Sequence, residues 1–191
     1  AGFAGSALEI VLLLAMQILA GSVYRQVAWV VAVFMAGLAV GAFAATRWLE
    51  LRRTAEGETP QPRGFGIEPL LGLIALGVAA FAVLVPAFLH ALDRWTALRA
   101  GEVAIQGIIL LFTFGLAGLV GAQFPLANRL AADTRQAAAR LYTADFVGAS
   151  LGALLTSVWL VPLAGIAGVC WIAGGLNVLA ALIVFRKGSA A

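Results

Sequence analysis

Six long apolar runs crowd this 191-residue chain, separated by short polar links. They cover about 7–23, 27–45, 70–89, 103–126, 144–166 and 167–185. Each run is near the roughly 20 residues that one bilayer crossing takes. In hydrocarbon the backbone finds no water, so its N–H and C=O groups must bond within the segment, and every run predicts a helix. Only Pro162, Gly165 and Gly168 punctuate the join of the last two, which predicts a tight helical hairpin. The expected fold is all-α: one polytopic membrane bundle of six transmembrane helices over residues 1–191.

The links predict less. Residues 50–66 are the longest polar stretch, and Pro60, Pro62, Gly64 and Gly66 argue for an irregular loop. Asp133 to Tyr142 reads as a short amphipathic helix at the interface, and His90 to Glu102 has the same character, with Trp95 at headgroup depth. Trp29, Trp48, Trp159 and Trp171 fall within or near the ends of runs, in part matching an aromatic belt. The chain does not open with Met and enters almost directly into a membrane helix, as expected of a piece or processed product of a longer protein.

Composition agrees. Hydrophobic residues make up 63% and charged residues 11%, against about a quarter charged in a soluble domain. The basic balance does not point to nucleic acid, because the arginines sit at helix ends, where lipid headgroups are the natural partners. They also alternate. If the N-terminus, the second-to-third link, the fourth-to-fifth link and the C-terminus share a side, that side holds nine basic residues against three opposite. The excess marks the cytoplasmic side, so both termini are expected there. One cysteine, Cys170, excludes an internal disulfide, and with one histidine, His90, the chain alone cannot build a His- or Cys-rich metal cluster or a bis-histidine haem site. No phosphate-binding or dinucleotide-binding glycine motif is present. No cofactor is expected.

Two features carry candidate chemistry. Gly37/Gly41 and Gly148/Gly152 have G-x-x-x-G spacing, and Gly115, Gly118 and Gly121 line one side of the fourth run. Such spacing lets backbones approach closely in lipid, either within this bundle or against another subunit. An echo between Ala36–Ala42 and Ala117–Ala122 is compatible with a transporter repeat. The second feature is a pair of carboxylates in or beside spans, Glu9 and Asp145. Both are expected near the cytoplasmic surface. Asp145 would complement the positive start of its own helix, and Glu9 would pair with a loop arginine. Alternatively they line a polar notch with Gln17, Gln123 and Tyr142, beside a helix break at Pro125.

Three segments together resemble a known family. They are Glu9-Ile-Val-Leu-Leu-Leu-Ala-Met-Gln17 with Gly21, Tyr24 and Phe34 to Gly41; Gly121-Ala-Gln-Phe-Pro-Leu-Ala127; and Leu141-Tyr-Thr-Ala-Asp145-Phe-Val-Gly-Ala-Ser-Leu-Gly152 with Val161 to Gly165. The combination resembles the membrane part of bacterial spermidine synthase-like membrane proteins, in which a helix bundle is fused to a Rossmann-type aminopropyltransferase-like domain. The resemblance implies a bacterial inner-membrane module and matches Glu9, Gln17, Tyr24, Phe124, Pro125, Tyr142 and Asp145 to the family pattern. The glycine-rich cofactor site and amine-binding acids of such a catalytic domain are not among these 191 residues. The expected function is therefore an anchor or scaffold for a fused or associated catalytic domain or other membrane subunits, surrounded by lipid. Alternatives are half of a secondary transporter for a small solute, a cation among the candidates, and a membrane enzyme acting on lipid or quinone. The last lacks paired acid–base groups at a common depth.

Overall fold

The computed structural model describes residues 1–20, 23–55, 66–97, 102–131 and 135–188, all helical apart from Ala1 and a turn at Gly66. Helix α1 spans Gly2–Ala20, α2 Val23–Ala55, α3 Ile67–Ala97, α4 Glu102–Ala131 and α5 Arg135–Leu155. A π turn, Thr156–Leu160, leads from α5 into α6, Val161–Gly188. Five stretches are long and apolar enough to cross a membrane: Gly2–Leu19, Val27–Arg52, Ile67–Leu92, Val103–Leu130 and Gln136–Arg186. Trp159, Trp171, Phe43 and Leu163 stand exposed on the outer surface, which is tolerable only where lipid covers them. The chain has the build of a multi-pass membrane protein.

Several helix ends lie beyond the expected boundaries. Helix α1 begins at Gly2 and not near residue 7, because Gly2 and Phe3 pack on α5. The segment expected as a separate interfacial helix from Asp133 is, from Arg135 on, the first turns of α5; Asp133 lies outside the described residues. Residues 90–97 likewise continue α3, and residues 50–55 end α2. The rest of the expected 50–66 loop up to residue 65, and residues 98–101, lie outside the described residues.

The expected separate fifth and sixth spans, 144–166 and 167–185, are one apolar stretch of 51 residues. A straight helix of that length would measure about 75 Å, more than twice the roughly 30 Å of a bilayer core. The stretch does not run straight. Its early part lies beside the start of α1, with Asp145 at Gly2 and Gly152 on Phe3. Its late part returns, with Gly174 against Ala79 and Ala82 of α3 and Phe185 over Gly72 near the start of α3. The reversal sits at Gly165, where φ is 67° and ψ 178°, the one non-helical point in α6. That region of backbone space is open essentially to glycine alone. The expected tight hairpin closes only at its turn, where Gly168 lies against Ala164; among the described residues α5 and α6 are not in contact, and α5 packs on α1 while α6 packs on α3.

Glycine seams explain the pairing. A Cβ on Gly37 would lie 2.7 Å from both the Phe114 carbonyl oxygen and the Ala117 methyl, and one on Gly41 would strike the backbone of Gly118. Gly121 is covered by the backbone of Leu38, and Gly152 by that of Phe3. The small-residue faces of α2, α4 and α5 are therefore spent on close helix contact inside the bundle. Helix α1 is central. Its Ala7, Leu8, Val11 and Leu12 are buried with Val78, Ala82 and Val85 of α3, Leu116 of α4, and Val169 and Ala173 of α6. Further along, Met16 joins Val30, Leu92, Ile105 and Ile109. Phe112 of α4 is stacked on Phe88 at 4.0 Å and tilted on Phe81 at 4.1 Å, both from α3.

These contacts orient every helix. Helices α1, α3 and α5 run one way, and α2, α4 and α6 the other. One end of the bundle gathers the starts of α1, α3 and α5 with the ends of α2, α4 and α6. Arg47, Arg52, Arg129, Arg140 and Arg186 are exposed there, with Arg52 resting 4.5 Å above the Trp48 ring and against Gly66. Exposed Arg94 stands at the opposite end.

Candidate functional site

The first N–H groups of a helix have no acceptor within it. At the start of α1 this want is met from another helix: Gly2 N–H donates to Asp145 Oδ1 at 2.6 Å, and the Ala1 nitrogen lies 3.6 Å from the same oxygen. Asp145 was expected to complement the start of its own helix. The earlier start of α5 puts it ten residues in, so its charge serves α1 instead. Gly148 and Gly152 continue the same face of α5 and seat the backbone of Phe3. One carboxylate and two glycines thus clasp α1 to α5.

One turn before Asp145, the exposed Tyr142 ring stands edge-on to Phe124 of α4 at 6.0 Å and beside Phe146 at 6.3 Å. Pro125 does not break its helix, since α4 continues to Ala131. The proline still gives no N–H to the Gly121 carbonyl. Gln123 is buried, 5% exposed, with its amide nitrogen unpartnered, and the Asn128 side-chain oxygen is likewise unpartnered.

The five residues expected to line a notch do not gather in one. Tyr142 and Asp145 belong to the arginine-bearing end. Gln17 follows Gly2 by fifteen residues, roughly 22 Å along the helix, next to the buried Met16 cluster of the opposite end. Glu9 belongs to neither end. Gly5 packs on Val120 with α1 and α4 antiparallel, so Glu9, about one turn further, is level with Leu116. That is the middle of the Val103–Leu130 span. The expectation of a shallow Glu9 rested on a first span beginning near residue 7; with the span beginning at Gly2, the carboxylate moves to mid-depth. Tyr24 lies in the first turn of α2.

Sequence reasoning missed Thr156. It is fully buried, its hydroxyl has no partner, and its carbonyl accepts the Val161 N–H five residues on, the π register. The signal was present in Pro162, which cannot donate and so loosens the turn before it. The neighbouring buried polar groups behave differently: Thr113 Oγ1 donates to the Ile109 carbonyl at 2.8 Å, and Asn177 Nδ2 to the Ala173 carbonyl at 2.9 Å. Among the described residues no three His, Cys, Asp or Glu side chains converge on a metal position. Compared with protein-family models, curated proteins and solved structures, the chain matches none of them.

Proposed function

We propose that this chain is the membrane module of a larger assembly, crossing the bilayer six times with both termini in the cytoplasm and anchoring a fused or associated catalytic domain. One observation carries the reading: the segments that resemble spermidine synthase-like membrane proteins meet in space. Tyr142 of the third meets Phe124 of the second, and Leu38 of the first covers Gly121 of the second, while Asp145 and Gly152 of the third hold α1 at Gly2 and Phe3, just ahead of the first. Residues far apart in the chain are thus committed to holding one bundle together, as an anchor needs. The arginine-rich end, by the charge rule, faces the cytoplasm and any soluble partner there. A bacterial inner membrane is the setting that the resemblance implies.

The sixth crossing rests on the reversal at Gly165. Reporter fusions at residue 58, in the link around residue 165 and after residue 188 test it. The reading expects the first and last on the cytoplasmic side and the middle one outside; the middle and last on one side would refute it. Purification in mild detergent tests the role. A module comes out with a stoichiometric partner, whereas isolation alone, with stabilisation by a small solute, would favour a carrier half. The mid-depth carboxylate of Glu9 is the observation that favours that second reading.

A further inference from the structure

Apart from the thiol of Cys170, no ionisable side chain occurs in residues 27–46, 69–89, 103–128 or 146–185, the interiors of every other membrane-crossing stretch. Glu9 is the exception, and it stands at mid-depth. On the helical wheel of α1 it falls between two directions that the packing fixes. Gly2 looks toward Asp145 and Ala149 of α5, and Gly5 toward Val120 of α4. Glu9 therefore lies on the edge of α1 that looks between α4 and α5. It is half-buried and makes no hydrogen bond or ion pair among the described residues.

Helix α5 brings a second unsatisfied oxygen to this level. Gly152 rests on Phe3, and the two helices run in the same direction. Thr156, one turn beyond Gly152, is about 6 Å deeper, and Glu9, six residues beyond Phe3, about 9 Å deeper. The two depths agree within a few ångströms. Thr156 shares the face of Gly148 and Gly152 that meets α1, and its hydroxyl, fully buried, has no partner. A π turn at a membrane-embedded oxygen is the kind of irregularity that recurs at functional sites.

A bare carboxylate at the centre of a bilayer is costly and requires neutralisation. The middle of this bundle supplies no Lys, Arg or His to do it. A single negative charge is matched by a single positive one, whereas a divalent ion would leave an excess. The donors are oxygens, which suit hard cations. We propose that Glu9 and the Thr156 hydroxyl form a monovalent-cation site at the centre of the bundle, where a bound cation and a proton replace one another. Loading the cation releases the carboxyl proton, so the site stays neutral in both states. The proposal rests on the bilayer-crossing reading above but not on the anchor role or on which side the termini lie.

Dicyclohexylcarbodiimide provides the test, because it adds to a protonated carboxyl in water-poor surroundings and leaves a stable acylurea that mass spectrometry locates. The purified full chain in mild detergent should be labelled at Glu9, and E9Q should not. Sodium, potassium, lithium and ammonium are then titrated separately at constant ionic strength. At about ten times its Kd, the cation that binds should slow labelling roughly tenfold, following 1 + [L]/Kd. T156V should be labelled as fast as the parent without cation, yet need a higher concentration of the same cation for protection. No labelling at Glu9, or labelling indifferent to all four cations, overturns the site. Unchanged protection in T156V overturns the hydroxyl's part. E9D, which keeps the charge, serves as the folding control and should still take label. None of these readouts depends on topology, so the reporter fusions can fail separately.

Discussion

A single methyl group on the α2–α4 seam should be enough to part the two helices. In Gly41→Ala the new Cβ would lie 2.7 Å from the Gly118 carbonyl carbon and 2.8 Å from its Cα. Its neighbour is backbone, so no side chain can swing away. The Gly118 carbonyl oxygen is closer still, so restoring ordinary contact moves the helices apart by roughly 1 Å, a gap that forfeits about half of each dispersion well along the seam. Overpacking of this kind costs about 1–3 kcal/mol, while the gain in helix propensity on leaving glycine is at most about 1 kcal/mol. Gly175→Ala is the matched control: it lies in α6, and a Cβ there meets nothing within 4 Å. The difference between the two variants isolates the clash, expected at about 1–3 kcal/mol. Titrating dodecyl sulfate into mild-detergent micelles, followed by near-ultraviolet circular dichroism, measures it. Equal midpoints for the two variants would refute the view that backbone contact at Gly41 holds α2 on α4.

Two more substitutions probe other parts of the bundle. Asp145→Ala removes the acceptor of the Gly2 N–H; since that carboxylate is 34% exposed, screening reduces the expected loss to about 1 kcal/mol. Asp145→Asn should recover roughly half of it, and amide exchange at Gly2 and Phe3 should quicken in the alanine variant alone. Gly165→Ala forces a side chain into a backbone region reserved for glycine, at a cost of about 1–3 kcal/mol, although a Cβ there meets nothing within 4 Å. A stability equal to that of Gly175→Ala would mean that the reversal does not need this conformation.

The helices were legible because their cause is local. A backbone without water must bond to itself, and runs such as 103–126 carry that instruction residue by residue. Their ends were not. Ala1 to Ser6 is too rich in small residues to announce a helix, and only contact with α5 extends α1 to Gly2. Arg135 to Tyr142 is polar enough to read as a separate surface helix, yet nothing in it stops the helix from running on into α5. The glycine pairs were legible as packing faces but not as to partner, because spacing records closeness and not identity. Glu9 shows how one misplaced boundary propagates: five residues added to the front of α1 turned a surface carboxylate into a central one. Gly165 was visible as punctuation, but the parting of α5 from α6 beyond the turn depends on α1 and α3 competing for them.

The clasp between Gly2 and Asp145 also has a consequence for how the protein is made. The two residues are 143 positions apart, and a ribosome adding about 5–20 residues per second takes on the order of ten seconds to bridge them. Throughout that interval α1, the first helix of this chain to emerge, lacks the neighbour that clasps its start, and Thr156 is not yet beside its carboxylate. Helix α2 waits in the same way for α4, and α3 for α6. Assembly is therefore late and concerted, and a nascent chain halted before α5 should hold α1 loosely, exposed to membrane proteases and quality control.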